Sequence, residues 1–488
     1  MFLNLCLDTH DKEKLQLFNC LSNNAAEQFS ANSLRDQLPF SYTKIQNLLK
    51  SVNHDWLTRY RQTLLVANGQ ISFAEEKFDV GNYQTLLLHN STAYQFMLNL
   101  LVYPDDTLTD YCEQNAIGRS TIHRKLKPLK HYLRTLDLHL NLDKMVISGS
   151  EAAVRSFYLQ ILWAVNGGED IFKLPEVEQA LHPLADWREP WGNGVCYQQG
   201  RLALAIAFLR SKNQHFITVN TRCTHYFFPS CQPAIKHFFD AICQDATIFQ
   251  AELTYFYYSI LYQPIYFTVD DQRIPLARRN LKCLKFINHL PGSLLRRVQQ
   301  LLRDDLSAQE LELFWLNFYN LFANVQLWQN IPVSLVLRNS IAAPHRNEKL
   351  AQTIQRQLTN TLRQLARQKK TTWLANNLTA LAQCCTQLIL PHAKPLIASE
   401  LVYVGIQDDL NSFLIQDVLR FCQSLSFVKP EIFNSNQFGT YDLIITNSGS
   451  TSQSNSEQHL FTLKNGRFSY SGLLIKLEQQ HELKSKAS

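Results

Sequence analysis

Apolar residues at the start of the chain repeat at the spacing of three helices and then alternate across a turn. The repeating positions are Leu15, Phe18, Leu21, Leu34, Leu38, Ile45, Leu48, Leu49 and Val52. Pro39 ends the second helix, and Ser41 is placed to cap the third. Asn68 and Gly69 separate two apolar runs, which predicts a β-hairpin because both residues tolerate positive φ. Helix, helix, turn, helix and hairpin is the order of a winged helix-turn-helix, which we predict for residues 1–80 (the first module).

The same order of elements recurs immediately downstream. Helices are predicted over Ala93–Leu101 and near Leu108–Ala116, and Gly118 marks the turn before a third helix. The apolar positions of that third helix and of the following hairpin are Ile122, Leu126, Leu129, Leu133, Leu138, Leu140, Leu142, Met145 and Ile147. Pro128 lies inside the helix and predicts a kink, because it removes one backbone hydrogen bond. We predict a second winged helix-turn-helix over residues 81–150 (the second module).

Positive charge is concentrated in this third helix. From Arg119 to Arg134 there are six Lys or Arg residues and no Asp or Glu, whereas the whole chain has 47 basic and 41 acidic residues and a net charge of +6. An isolated basic run is usually a solvated helix face. Here a short helix, a turn glycine and a hairpin surround the run, and these neighbours favour a recognition helix that enters the DNA major groove.

Both modules therefore contain candidate DNA contacts. The predicted contacts are Arg119, Ser120, Thr121, His123, Arg124, Lys125 and Lys127 in the second module, and Ser41, Tyr42, Lys44 and Asn47 in the first. The first four of the second module are the candidates for base edges. Because of the expected kink, Lys130 and Arg134 are assigned to the DNA backbone at most.

The remainder of the chain predicts helical bundles followed by a small α/β domain. Long apolar-periodic stretches dominate residues 152 to about 390, and Gln263–Asn280, with two prolines and mixed charge, is predicted to separate two halves. A buried-strand run LVYVGI, a helix through Phe413–Phe421, a strand near Val428–Phe433 and the run YDLIITN then predict the α/β domain. We interpret the Ser-, Asn- and Gln-rich tract Asn447–Gln458 as a flexible loop.

Composition limits the class of protein. A chain of 488 residues is too long for one core, and with 45% hydrophobic and 18% charged residues it is expected to fold into several domains. The eleven cysteines never occur as C-x-x-C, so neither a disulfide framework nor a zinc ribbon is indicated, and reduced thiols in a cytoplasm are expected. We find no signal-peptide pattern and no apolar run long enough for a membrane helix, which predicts no membrane partner.

The second module and the residues after it resemble the Mga and AtxA type of virulence and sugar-responsive regulators of Gram-positive bacteria. Ser120, Thr121, Arg124, Lys125 and Leu129 carry the resemblance in the third helix. The junction residues that carry it further are Gly149, Glu151 and Arg155.

This resemblance implies a mainly α, multidomain architecture. After the two winged helix-turn-helix domains it places two helical domains of the phosphotransferase-regulation (PRD) type at residues 151–270 and 271–393, and an EIIB-like α/β domain at 394–488. It implies a transcriptional regulator of virulence, surface-protein or carbohydrate genes. Such a regulator binds double-stranded promoter DNA as a homodimer through its C-terminal and helical domains, and phosphotransferase-system proteins are further candidate partners.

Phosphotransfer chemistry is not expected. An active EIIB phosphocarrier resembling the family has a cysteine in the loop after its first strand, whereas this loop reads Gln407, Asp408, Asp409 and the nearest cysteine is Cys422 in a helix. The position of the first PRD histidine falls near Gln198. That of the second falls near Cys384, Cys385 and Thr386.

Other candidate chemistry is weak. The histidines of the helical region are interpreted as structural or surface residues and not as phosphorylation sites; they are His182, His215, His225, His237, His289, His345 and His392. Cys223, His225 and Cys231 lack a fourth ligand and predict no metal site. Neither a Gly-rich phosphate loop nor a hydrolase motif is present, so we predict no enzyme and no cofactor.

Three other functions compete with that of a DNA-binding regulator. An RNA-binding antiterminator needs a small β-rich domain at the N-terminus, which the predicted helices disfavour. An enzyme or phosphotransfer component is disfavoured by the missing loop cysteine. An interaction scaffold with helix-turn-helix folds that no longer bind DNA stays open, because the net positive charge is small.

Overall fold

The computed structural model describes most of the chain. The described residues are 5–23, 31–61, 80–184, 194–220, 233–243, 245–261, 266–283, 290, 292–327, 348–368, 371–394, 401–407, 412–425, 427–434, 441–446, 459–462 and 470–487. The chain divides into two compact units. The N-terminal unit is Met1–Asn288 with Tyr319–Ile341, and the C-terminal unit is His289–Phe318 with Ala342–Ser488.

The first module contains the three predicted helices. They are α1 (Thr9–Asn23), α2 (Ala31–Gln37) and α3 (Tyr42–Tyr60). All nine predicted apolar positions are buried in one core. Ser41 caps α3 as predicted, since its hydroxyl accepts a hydrogen bond from the Lys44 N–H at 3.3 Å. The hairpin predicted at Asn68 and Gly69 lies outside the described residues.

The second module has five helices and a hairpin. The elements are α4 (Val80–His89), α5 (Thr92–Val102), α6 (Leu108–Gln114), α7 (Arg119–Lys125), α8 (Lys127–Thr135), β1 (His139–Asn141) and β2 (Val146–Ser148). The two strands pair antiparallel with Leu140 opposite Ile147, which confirms the predicted hairpin. A Cβ on Gly149, whose φ is +143°, would lie 2.6 Å from a methyl carbon of Leu138, so only glycine fits at the end of this hairpin.

The predicted kinked helix is wrong in one respect, because the chain forms two helices there. α7 ends at Lys125 and α8 begins at Lys127, which places Pro128 in the first turn of a new helix. At that position proline has no backbone hydrogen bond to lose and its fixed φ suits the helix. The predicted apolar stripe nevertheless remains buried across both helices.

Further helices follow the second module in the described part of the N-terminal unit. They are α9 (Glu151–Asn166), α10 (Glu169–Phe172), α11 (Pro175–Leu181), α12 (Gly194–Lys212), α13 (Pro233–Ile242), α14 (Ala246–Leu261) and α15 (Ile274–Cys283). A short 3-10 helix, His182–Leu184, follows α11. Two more, Thr372–Asn377 and Leu390–His392, lie in the C-terminal unit. α9 packs against α4 and α12, so the bundle continues directly from the second module. The predicted boundary Gln263–Asn280 contains the start of α15.

The C-terminal unit combines helices with a small parallel sheet. Its helices are α16 (Gly292–Leu301), α17 (Ala308–Leu327, which runs on into the N-terminal unit), α18 (Glu348–Ala366), α19 (Leu378–Ile389), α20 (Ser412–Gln423) and α21 (Tyr470–Ala487). Its strands are β3 (Val402–Ile406), β4 (Val428–Ile432), β5 (Leu443–Thr446) and β6 (His459–Thr462), in the order β4-β3-β5-β6. All pairs are parallel. Among the described residues, no helix combines the length and hydrophobicity needed to cross a membrane.

Candidate nucleic-acid interface

A short capped helix positions the candidate recognition helix of the second module. α6 begins with a capping box, in which the Thr107 hydroxyl accepts from the Asp110 N–H and the Asp110 carboxylate accepts from the Thr107 N–H. The Thr107 hydroxyl and N–H hold the pKa of Asp110 below its usual value, so the cap is charged at neutral pH. Thr109, in the first turn of α6, contacts α7 directly through Arg119.

The predicted base-edge residues lie on the solvent side of α7. Arg119, Ser120 and His123 are exposed, and Thr121 is half-buried. The Arg119 guanidinium donates to the Thr109 hydroxyl at 2.6 Å, which orients it over α6 while its other donors stay available. Ile122 on the opposite face is fully buried and anchors the helix.

The predicted cations form one exposed surface, which we call the basic surface: Arg119, Arg124, Lys127, Lys130 and Arg134. All are exposed except Lys130, which is half-buried. Within the part of the chain that the structure describes, no carboxylate lies within ion-pair distance of any of the five. Unpaired cations of this kind suit the neutralisation of DNA phosphates.

Lys125 differs from its neighbours in α7. Its ammonium lies 3.6 Å from the Asp8 carboxylate, which belongs to the first module. Although burial works to raise it, the pKa of Asp8 is below its usual value, because the Asp11 N–H and the Lys125 charge stabilise the carboxylate. The residue predicted as a DNA contact is therefore also a contact between modules.

The four predicted residues of the first module have mixed environments. Tyr42 and Asn47 face solvent on α3, and the Tyr42 hydroxyl accepts from the Gln46 amide at 2.9 Å. Ser41 is exposed, with its hydroxyl used by the cap, and Lys44 forms an ion pair with Glu13 at 2.7 Å. Within the described residues, three of the four thus have internal partners, and Tyr42 and Asn47 face solvent without an acidic partner.

An aromatic and polar cluster joins the two modules. Tyr83 of α4 stacks on Phe18 of α1 with ring centroids 4.4 Å apart, and Trp56 of α3 lies 5.5 Å from Phe18. The Asp55 carboxylate accepts from both the Lys14 ammonium and the Tyr83 hydroxyl at 2.9 Å. Burial and the charge of Asp55 raise the pKa of Tyr83, so its hydroxyl stays a donor. The helical periodicity in the sequence did not reveal this cluster.

The junction after the hairpin is held by a buried ionic group. The Arg155 guanidinium donates to Glu252 at 2.5 and 2.8 Å, to Glu151 at 2.9 Å and to the His215 carbonyl at 2.8 Å. Arg210 donates twice to Glu151, at 2.9 and 2.6 Å. Burial alone would lower the pKa of Arg155, but Glu252 and Glu151 raise it, so the group stays charged. The junction residues singled out in the sequence are thus structural, linking α9, α12 and α14.

The candidate chemistry elsewhere has no reactive environment in the described residues. Burial raises the pKa of the Cys422 thiol to about 12, and that of Cys384 to about 12, so neither is a thiolate at neutral pH. Gln198 is exposed on α12. Asp408 and Asp409, and the residues Cys223, His225 and Cys231, lie outside the described part. Within it, no three His, Cys, Asp or Glu side chains group as a metal site.

The order of α5, α6, α7, α8 and hairpin, with its outward cations, defines a helix-turn-helix domain of the DNA-binding class. Comparison with protein families assigns it more narrowly, because residues 76–162 match the model of the Mga helix-turn-helix domain. This match confirms the resemblance predicted from the sequence, and the matched family is regulatory and not catalytic. A comparison with curated proteins gave no match.

Proposed function

We propose that the chain is a transcriptional regulator that binds double-stranded promoter DNA through its second module, assisted by the first. The observation that carries this proposal is the basic surface on α7 and α8, which is free of carboxylate partners among the described residues and stands on a helix-turn-helix scaffold. A cation that is already paired with a carboxylate contributes little free energy when it meets a DNA phosphate. A cation without such a partner neutralises the phosphate and releases the counterions condensed on the DNA.

Roles in this proposal follow position on the helices. Arg119, Ser120, Thr121 and His123 occupy the start of α7, from which a recognition helix reaches base edges. Arg124 and Lys127 contact phosphates, with Lys130 and Arg134 on the DNA backbone. In the first module Tyr42 and Asn47 face DNA, while Ser41 and Lys44 are held by internal partners. Lys125 of the second module is likewise held by Asp8.

The other parts of the chain are assigned regulatory and assembly roles. We propose two PRD-like helical domains and an EIIB-like C-terminal domain, which is supported by the parallel sheet order β4-β3-β5-β6. The buried Cys422 favours a sensing or assembly role for this domain over phosphocarrier activity. A homodimer is proposed because a second copy doubles the DNA contacts and raises the effective concentration of each.

A salt titration with a mixed-sequence duplex tests the proposal. Binding of the full chain is expected to weaken steeply between about 50 and 200 mM salt, because released counterions dominate the free energy. Replacing Arg124 and Lys127 together by alanine is expected to lower the slope of log K against log salt by about 2, near one unit per phosphate contact.

The matched control removes two exposed lysines from elsewhere in the same unit. Lys173 and Lys236 are surface residues paired with Glu169 and Asp240, and their double alanine variant carries the same charge change. Its slope is expected to equal that of the wild type. Equal slopes for all three proteins, or no binding to duplex, would contradict the proposed function.

A further inference from the structure

One short segment of the first module contacts both candidate recognition helices. Asp8 forms an ion pair with Lys125 at the end of α7, and Glu13 forms one with Lys44 in the first turn of α3. Between them, the His10 ring nitrogen lies 3.2 Å from the Ser51 hydroxyl of α3. The segment Asp8–Glu13 therefore bridges the two helices.

The bridge rests on a shared core and not on ion pairs alone. Exposed pairs of this kind contribute little stability. However, α1 packs against both α3 and α4, and Phe18, Trp56 and Tyr83 contact one another at the joint. Asp55 then ties Lys14 of α1 and Tyr83 of α4 to α3. A packed aromatic core of this type resists sliding, because interiors are close-packed.

The bridge also limits how far apart the two helices lie. Asp8 and Glu13 are five residues apart, and from Thr9 onward the chain is helical, so their Cα atoms are separated by about 10 Å. The Lys125 ammonium contacts Asp8, and the Lys44 ammonium contacts Glu13. The bridge therefore limits the distance between the first turn of α3 and the end of α7.

We propose that the two modules form one rigid reading unit, whose DNA site consists of two unlike sequence elements at a fixed spacing. This inference rests on the proposed function and specifies the class of DNA that the site takes. In a homodimer, each copy brings its own pair of elements.

The test begins with duplexes selected from a randomised pool by the full chain. Hydroxyl-radical footprinting of a selected duplex is expected to show two unlike protected elements. Replacing Ser120 and His123 by alanine is expected to erase one element, and replacing Tyr42 and Asn47 by alanine the other. These four side chains are polar, are not buried and lie outside the aromatic joint, so both double variants are expected to stay folded.

Insertions between the elements test the fixed spacing. Adding about five base pairs moves one element to the opposite face of the duplex, and adding about ten restores the face but lengthens the gap by one turn. A rigid unit loses one set of base contacts in both cases, so binding weakens about tenfold or more with each insertion. A flexible joint tolerates the longer insertion.

The outcomes separate this inference from the proposed function. Three results would overturn the rigid unit alone. They are unchanged affinity after the ten-base-pair insertion, a single protected element, and a footprint that the Tyr42 and Asn47 double variant leaves unchanged. Absence of salt-dependent binding to every duplex would overturn the proposed function, and this inference with it.

Discussion

The first and second modules share an order of helices but use their charges differently. In the first module, the lysines described in contact with acids are Lys14, which binds Asp11 and Asp55, and Lys44, which binds Glu13. In the second, the basic surface points to solvent, and Lys125 alone of the α7 and α8 cations pairs with an acid among the described residues. Helix order is thus common to both modules, whereas the pairing of their cations differs, and in the proposed function the unpaired cations supply the electrostatic affinity for DNA.

The modules also differ in how each is anchored. The second continues into α9 and the fully buried Arg155 group, whereas the first depends on Asp55, whose side chain is 22% exposed. Burial makes an ion pair more costly to break, because the remaining charge loses water as well as its partner. Substitutions are therefore expected to rank by burial.

The largest effect is expected from Arg155→Met. The change leaves Glu252 buried without its guanidinium partner, and it is expected to lower the free energy of unfolding by about 3–5 kcal/mol. Urea denaturation followed by circular dichroism measures this value. Lys173→Met, at an exposed pair, is the control and is expected to stay within about 1 kcal/mol of the wild type. An equal, small loss in both variants would show that the junction is not an anchor.

A smaller effect is expected from Asp55→Ala in the first module. The Lys14 ammonium and the Tyr83 hydroxyl lose a common acceptor, which is expected to cost about 1–3 kcal/mol. The same denaturation measurement applies, with Asp36→Ala as control, because Asp36 is largely exposed. A cost above that of Arg155→Met would reverse the ranking by burial.

The smallest effect is expected from Asp8→Asn at the contact between modules. Both partners are partly exposed, so the loss of stability at neutral pH is expected to be below about 1 kcal/mol. Because the pKa of Asp8 is lowered in the folded state, its contribution is present at neutral pH and disappears as the pH falls below about 4. Thermal unfolding of both proteins at pH 7 and in acid checks this sign. A difference that grows in acid would contradict it.

Local patterns predicted the elements of both modules better than their connections. The apolar faces of α1, α3 and α5 and the alternation around β1 and β2 report burial directly, since period and face are local properties. The restart at Lys127 was missed because a proline two residues into a new helix leaves the same apolar stripe as a kink.

Contacts between distant residues could not be predicted in this way. Arg155 and Glu252 are 97 residues apart, and the Lys125 contact with Asp8 joins two modules, so only the folded chain brings them together. The sequence placed Lys44 and Lys125 among the DNA contacts because charge and helix position are visible in it, while their acidic partners are not. β6 was also missed, since four residues of strand give little periodicity.

The contrast in salt dependence between the modules tests the central claim most directly. The measurement is the slope of log K against log salt for binding to a mixed-sequence duplex. Two double variants are compared: the first carries Arg124→Ala and Lys127→Ala, and the second carries Lys44→Ala and Lys14→Ala. The account predicts a slope lower by about 2 in the first variant and by less than about 1 in the second, because the lysines of the second variant are already neutralised by acids. Equal reductions, or a larger one in the first-module variant, would contradict it.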